Sequence, residues 1–301
     1  MAGGLTSLQS LTQQSAPSYT KAVIQAGLRT PQGEEAVWIV VEDIDDVRVY
    51  ERFFTENVTR VLTSKNEKGQ KGCSYVEEIV TEILAEEDDP LIFGIRDTDY
   101  TRYETPAHVF PPAIFTTDYR DVEMMMLSAP SVMDDLKAWN PDLCLKLREG
   151  QPVVRMMGYI RLCNHLYSLG CNFKRKVKIS KLWDDTSHSF VSDWEVALIT
   201  LFLQNYNNDP NNPHTPFTEE KFRDTIEDLA LENEDSLYIC QGHDTVKLLQ
   251  YMMVHTQVNL YNEASIMSRM INAYSLADFK NTRLYSQIKG WASSKGVVII
   301  A

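Results

Sequence analysis

The sequence predicts an α/β protein: a small parallel sheet flanked by helices, followed by a mainly α-helical half. Three observations carry this. Residues 36–41 (AVWIVV) and 91–95 (LIFGI) are short continuous apolar runs, with the length of strands buried on both faces. Around and between them apolar residues recur at three- and four-residue steps, the period of a helix with one buried stripe. After about residue 140 helical periodicity takes over, so the chain divides into residues 1–140 and a mainly helical part over 141–301. Strand alternating with helix in the first part favours a parallel sheet with helices on its faces.

The elements follow in order. Residues 1–17 are small and polar, a frayed tail. After the first strand, Ile44, Val47, Tyr50, Phe53, Phe54, Val58, Val61 and Leu62 predict one helix. A polar loop follows at 65–72 (KNEKGQKG). Val76, Ile79, Val80, Ile83 and Leu84 mark a second helix, which Pro90 terminates. Residues 109–115 contain Pro111 and Pro112 and read as a broken or edge strand. Thr117 or Asp118 is expected to cap a helix carrying Val122 to Leu127. Beyond it, 153–169, 191–206, 217–231, 245–258 and 264–273 read as helices, 205–216 as a surface loop and 236–240 as the one strand candidate.

Length and composition narrow the function. A chain of 301 residues holds one large domain or two of ordinary size. Apolar residues at 44% and charged residues at 24% exclude a disordered or low-complexity protein. The net charge of −13 repels nucleic acid on average, so a nucleic-acid site needs a local basic patch or a bridging metal. Five scattered cysteines without a CxxC pair argue against structural zinc and a disulfide framework, and a reducing cytoplasm is the simple reading. No secretory signal and no membrane-spanning run is read in the sequence. The six histidines show no ligand spacing, and no phosphate-binding GxxxxGK[ST] loop occurs.

Acidic residues stand where the predicted strands end. Glu42 follows the first strand, Asp97 and Asp99 follow the second, and Glu123 opens a later helix behind Asp118 and Asp121. In a parallel sheet ligands collect outside the carboxyl ends of the strands, so carboxylates far apart in sequence can converge there. Mg²⁺ takes a few carboxylate oxygens and completes its shell with water and phosphate. Asp46, four residues after Glu42, is set about one helical turn away. Five carboxylates in one crevice repel, and one or two cations relieve the repulsion. The same residue types also cap helices and match the helix dipole. Asp43, Asp45 and Asp118 fit that role better than a ligand's.

The runs IVVEDIDDVRVYERFF, LIFGIRDTDY and IFTTDYRDVEMMML resemble the toprim-like domains of a bacterial family known as a domain of unknown function. That family includes the nuclease subunit of the PARIS phage-defence system and is related more distantly to OLD-type nucleases. The resemblance covers residues 36–128 well and extends weakly to GHDTVKLL and the closing helix up to Trp291. It implies a toprim-like sheet and an endonuclease that hydrolyses phosphodiester bonds in RNA or DNA, transfer RNA among them, with Mg or Mn as cofactor. Position by position it implies that Glu42 is a metal ligand and acid or base, that Asp46 acts with it, and that Asp97, Asp99 and Glu123 complete the metal sites. It also implies a cytoplasmic antiviral effector controlled by an ABC-type ATPase partner. Two departures stand out: Asp43 replaces the glycine usual after the first glutamate, and Ile95 replaces a small polar residue.

Residues 174–181 (KRKVKISK) form the one dense basic stretch, and Lys174, Arg175, Lys176 and Lys178 are candidates for holding a nucleic-acid backbone. Phe173 and Trp183 stand nearby to stack on bases. The same stretch also reads as a solvated loop or an edge strand. Two further functions stay open: a catalytically degenerate toprim module that binds protein or nucleic acid, and, less favoured without a zinc ribbon, a toprim nucleotidyl transferase. A homodimer is among the assemblies left open.

Overall fold

The computed structural model describes residues 17–64, 72–171, 181–184, 186–208, 216–253 and 260–300. The elements run α1 (Pro17–Leu28), β1 (Val37–Val41), α2 (Ile44–Tyr50), β2 (Thr59–Thr63), α3 (Cys73–Glu86), β3 (Ile92–Arg96) and β4 (Ile114–Thr116). Helices α4 (Val122–Leu127), α5 (Pro130–Trp139) and α6 (Pro141–Leu166) follow, then a short hairpin of β5 (Trp183–Asp184) and β6 (Ser189–Phe190). The chain continues through α7 (Trp194–Asn207), α8 (Glu219–Asp228), α9 (Ser236–Ile239), α10 (Gly242–Met253), α11 (Glu263–Ala273), α12 (Leu276–Lys280) and α13 (Arg283–Ser294). This is an α/β fold with a parallel sheet and a mainly helical C-terminal half, as the sequence predicts.

The chain forms two compact units. The first gathers residues 1–98, 108–118 and 276–301, and the second gathers 99–107 and 119–275. Residue 140, where the composition changes, lies inside the second unit.

The first unit is built on one sheet in the order β2-β1-β3-β4, parallel throughout. All five residues of β1 and all five of β3 are buried, which is why both read as unbroken apolar runs rather than alternating ones. On one face Trp38, Val40, Ile92 and Ile114 pack against Val76, Ile79, Val80 and Ile83 of α3 and Ile24 of α1. On the other face Phe93 meets Phe54 at 6.1 Å, Phe115 at 5.6 Å and Trp291 at 4.8 Å between ring centroids. Phe279 of α12 stacks on Phe53 at 4.8 Å. Ile92 and Phe93 are consecutive, so the pleat sends them to opposite layers. Gly94 lets α3 approach closely: a Cβ there would lie 2.7 Å from both Ile114 Cδ1 and Val76 Cγ1.

The expected helix over 44–62 stops at Tyr50. Thr59–Thr63 (TRVLT) instead pairs with β1, Ile39 opposite Val61. Val58, Val61 and Leu62 fit a helical step, yet the β-branched residues of TRVLT suit a strand and pairing with β1 decides the conformation. The strand read at 236–240 is likewise helix α9, which Asp235 caps through Leu237 N at 3.0 Å.

The second unit is organised around the 26-residue helix α6. Leu162, Ile160, Leu198, Phe202, Phe222 and Ile239 are fully buried in its core, each contributing about 1.5–3 kcal/mol. No helix among the described residues is long and apolar enough to cross a membrane.

Candidate metal centre

The site of the first unit follows from its topology. From β1 the chain crosses to β2 on one side, then returns through α3 to β3 on the other. The strand order therefore reverses between β1 and β3, and a crevice opens at their carboxyl ends. Glu42 directly follows β1 and Asp97 directly follows β3. The structure brings these two together: the backbone N–H of Asp97 donates to Glu42 Oε1 at 2.9 Å. The backbone carbonyl of Glu42 accepts from Thr63 Oγ1 at 3.2 Å and Ser64 Oγ at 3.1 Å, tying the ends of β1 and β2 together. Both acidic residues are half-buried.

The neighbouring positive charge is committed elsewhere. Arg96, the buried last residue of β3, forms an ion pair with Glu77 of α3, and its Nε donates to the Asp97 carbonyl at 3.0 Å. His108 Nε2 stands 3.3 Å from the same Glu77 carboxylate. The loop after β3 is pinned to the end of β4, Thr98 N donating to Thr117 Oγ1 at 3.0 Å.

Cys73 is a member of this site that sequence reasoning missed. Its Sγ and a carboxylate oxygen of Glu42 lie within 4.8 Å of each other. Only its place at the start of α3, after a polar loop, hints at exposure near a strand end. At the end of β4, Arg283 Nη2 donates to Thr116 Oγ1 and the Thr117 carbonyl at 3.4 Å each. No local signal marks it, because α13 joins the sheet through tertiary packing.

Asp46 has a different occupation. Its Oδ2 accepts from Asp43 N at 2.9 Å, while Asp43 caps the start of α2 and accepts from Ile44 N at 2.7 Å. Together they form a reciprocal capping box, and Asp46 is buried within it. Asp118 accepts from the backbone N–H groups of Arg283 at 2.7 Å and Leu284 at 2.9 Å, so it serves α13. The expectation that Thr117 or Asp118 caps α4 is therefore corrected: Asp121 does so, through Met124 N at 2.9 Å.

In the second unit Asp99 sits in the left-handed region at φ 49°. Its N–H donates to the Arg120 carbonyl at 2.8 Å, and its carboxylate lies 3.7 Å from Arg120 Nη2. Arg120 is buried, with its guanidinium 4.0 Å above the Tyr100 ring. Burial works against the Arg120 charge, but Tyr100, Asp99, Asp121 and Asp244 outweigh it and hold its pKa above the ordinary value. Asp121 is buried and accepts from Met124 N and Gly242 N, both at 2.9 Å. Burial pushes its pKa up, against Arg120 and those two N–H donors. Asp244 is held by Arg161 through bonds of 2.6 and 2.9 Å. Glu123 lies half-buried in the first turn of α4 beside Gly242, where a Cβ would meet Glu123 Cβ at 2.1 Å.

Lys174, Arg175, Lys176, Lys178 and Phe173 lie outside the described residues. Trp183 is buried and packs edge-on against Phe190 at 5.2 Å, so the expectation that it stacks on bases is corrected.

The Glu42 carboxylate stands at the strand mouth, an oxygen donor of the kind Mg²⁺ and Mn²⁺ take, and Asp97 is joined to it through its backbone N–H. The Cys73 thiol is a softer donor beside it. Compared with known proteins, the chain matches no family model, no curated protein and no solved structure.

Proposed function

We propose that the chain is a divalent-metal-dependent endonuclease that hydrolyses phosphodiester bonds in RNA or DNA. One observation supports the reading: the Glu42 carboxylate accepts from the Asp97 backbone N–H at the carboxyl ends of adjacent parallel strands, where the strand order reverses. Bound Mg²⁺ or Mn²⁺ supplies Lewis-acid charge at the scissile phosphate. Glu42 and Asp97 hold the ion, and the Asp97 N–H fixes the orientation of the Glu42 carboxylate. Asp99 and Glu123 join as further ligands by the toprim resemblance. Glu42 is the group that takes a proton; the capping bond of Asp46 argues for a positioning role there. On the same resemblance, the chain is an antiviral effector in the cytoplasm, held silent by an ATPase partner, with transfer RNA as a target. Its five free thiols fit a reducing compartment.

A second reading has its own support. Arg120 balances Asp99, and Asp46 is consumed by a helix cap. Carboxylates matched by the protein's own groups suit a degenerate toprim module that binds a partner or nucleic acid without cutting.

Incubation of the full chain with mixed RNA and DNA in Mn²⁺ separates the two. The nuclease reading expects cleavage that Glu42→Gln or Asp97→Asn lowers roughly 100-fold or more, the scale of losing transition-state charge stabilisation. Mn²⁺ binding without cleavage, in the presence or absence of an ATPase partner, supports the degenerate module. Absence of metal binding overturns the nuclease reading.

A further inference from the structure

The helical unit contains a cavity that the metal centre does not use. It measures about 480 Å³, within the size range of small-molecule sites. Met124, Met133, Val154 and Leu248 form its apolar wall, from α4, α5, α6 and α10. Two methionines give that wall an adaptable surface, because the unbranched thioether chain fills irregular space. Leu145 also lines the cavity and is 49% exposed.

The charges around the cavity are uneven. Lys137, Lys146 and Arg148 line it, against Asp134 and Asp235. Lys146 is paired with Glu149 at 2.6 Å, and Asp235 is engaged as the cap of α9. Lys137 and Arg148 are exposed and form no ion pair among the described residues. Asp134 is likewise exposed and forms no ion pair among the described residues, so three cations line the cavity against two anions, in a chain whose net charge is −13. An apolar wall accepts a hydrocarbon chain, and an excess of positive charge along the lining accepts one anionic head group.

We infer that this cavity binds a linear aliphatic carboxylate, its chain against Met124, Met133 and Leu248 and its head group at Lys137 and Arg148. The inference does not depend on the metal centre, and its test reads binding alone. Calorimetric titration of the full chain with decanoate, below its micellar concentration, should saturate a single site. The surface variant Lys137→Glu/Arg148→Glu should weaken that binding at least tenfold while leaving the melting temperature of the free protein within a few degrees. Decan-1-ol and decyltrimethylammonium should bind at least tenfold more weakly than decanoate. Met133→Trp, which fills the cavity, should abolish binding. The proposal is overturned by an absence of saturable binding, by equal binding of the three amphiphiles, or by unchanged decanoate affinity in the charge-reversed variant.

Discussion

The carboxylate of Glu42 accepts a 2.9 Å hydrogen bond from the backbone N–H of Asp97, 55 residues further along the chain. The bond joins the ends of the two central strands and orients the side chain proposed as the first metal ligand. It also bounds what a substitution there does to the fold. Glu42→Gln keeps an acceptor for Asp97 N, so its stability cost should stay within about 1 kcal/mol, and a large loss of activity is then a loss of chemistry.

The capping box of α2 separates a structural role from a chemical one. Asp46→Ala should cost about 1 kcal/mol, as should Asp43→Ala, because each removes one half of the reciprocal cap. Asp46→Asn keeps the acceptor and should recover most of that stability. Urea denaturation measures the stabilities. Full cleavage activity in Asp46→Asn would confine the residue to its cap.

Gly94 is required by contact rather than by backbone conformation. A methyl group there would sit 2.7 Å from Ile114 Cδ1 and Val76 Cγ1. Gly94→Ala should therefore destabilise the first unit by about 1–3 kcal/mol through overpacking. At Gly290, in helix α13, an added Cβ would meet nothing within 4 Å among the described residues. Gly290→Ala should be neutral or stabilising, since alanine favours the helix, and thermal melts of the two variants test the contrast.

The five thiols divide by environment. Burial pushes Cys163 and Cys240 up to about 12, whereas an unfolded thiol titrates near about 8.5. The folded state thus keeps protons that the unfolded chain releases. Their stabilisation is complete below about pH 8.5 and fades as pH rises toward 12, by about 1.4 kcal/mol per pH unit for each thiol. Denaturation at stepped alkaline pH should show this fall, reduced in Cys240→Ala. Iodoacetamide at pH 8 should label the half-buried Cys73, Cys144 and Cys171 and spare the other two. Because Cys73 adjoins Glu42, Mn²⁺ should slow alkylation of Cys73 alone; peptide mass spectrometry with unchanged Cys73 labelling would place the ion elsewhere.

Arg120 sits buried among Tyr100, Asp99, Asp121 and Asp244. Arg120→Met leaves Asp121 buried beside a lost counter-charge and should cost about 3–5 kcal/mol. Asp99→Asn removes a partner at 3.7 Å from a half-exposed position and should cost far less. Chemical denaturation of the two variants measures the difference.

The buried strands are legible in the residues because burial on both faces leaves an unbroken apolar run, as AVWIVV and LIFGI do. Glu42, Asp97 and the first-turn position of Glu123 are legible because each lies within a few residues of an element end. β2 is not legible, because TRVLT carries apolar residues that satisfy a helical step and takes its conformation from pairing with β1. The role of Asp46 is hidden for another reason: spacing places a carboxylate without saying which donor claims it.

Local pattern alone therefore determines an α/β chain with acids at its strand ends and a helical second half. Which strand lies beside which, that β1 and β3 adjoin at the reversal of strand order, and that Cys73 arrives beside Glu42 are decided by tertiary packing. Side-chain periodicity reports burial over one element, whereas neighbours across a sheet are chosen by contacts between segments tens of residues apart.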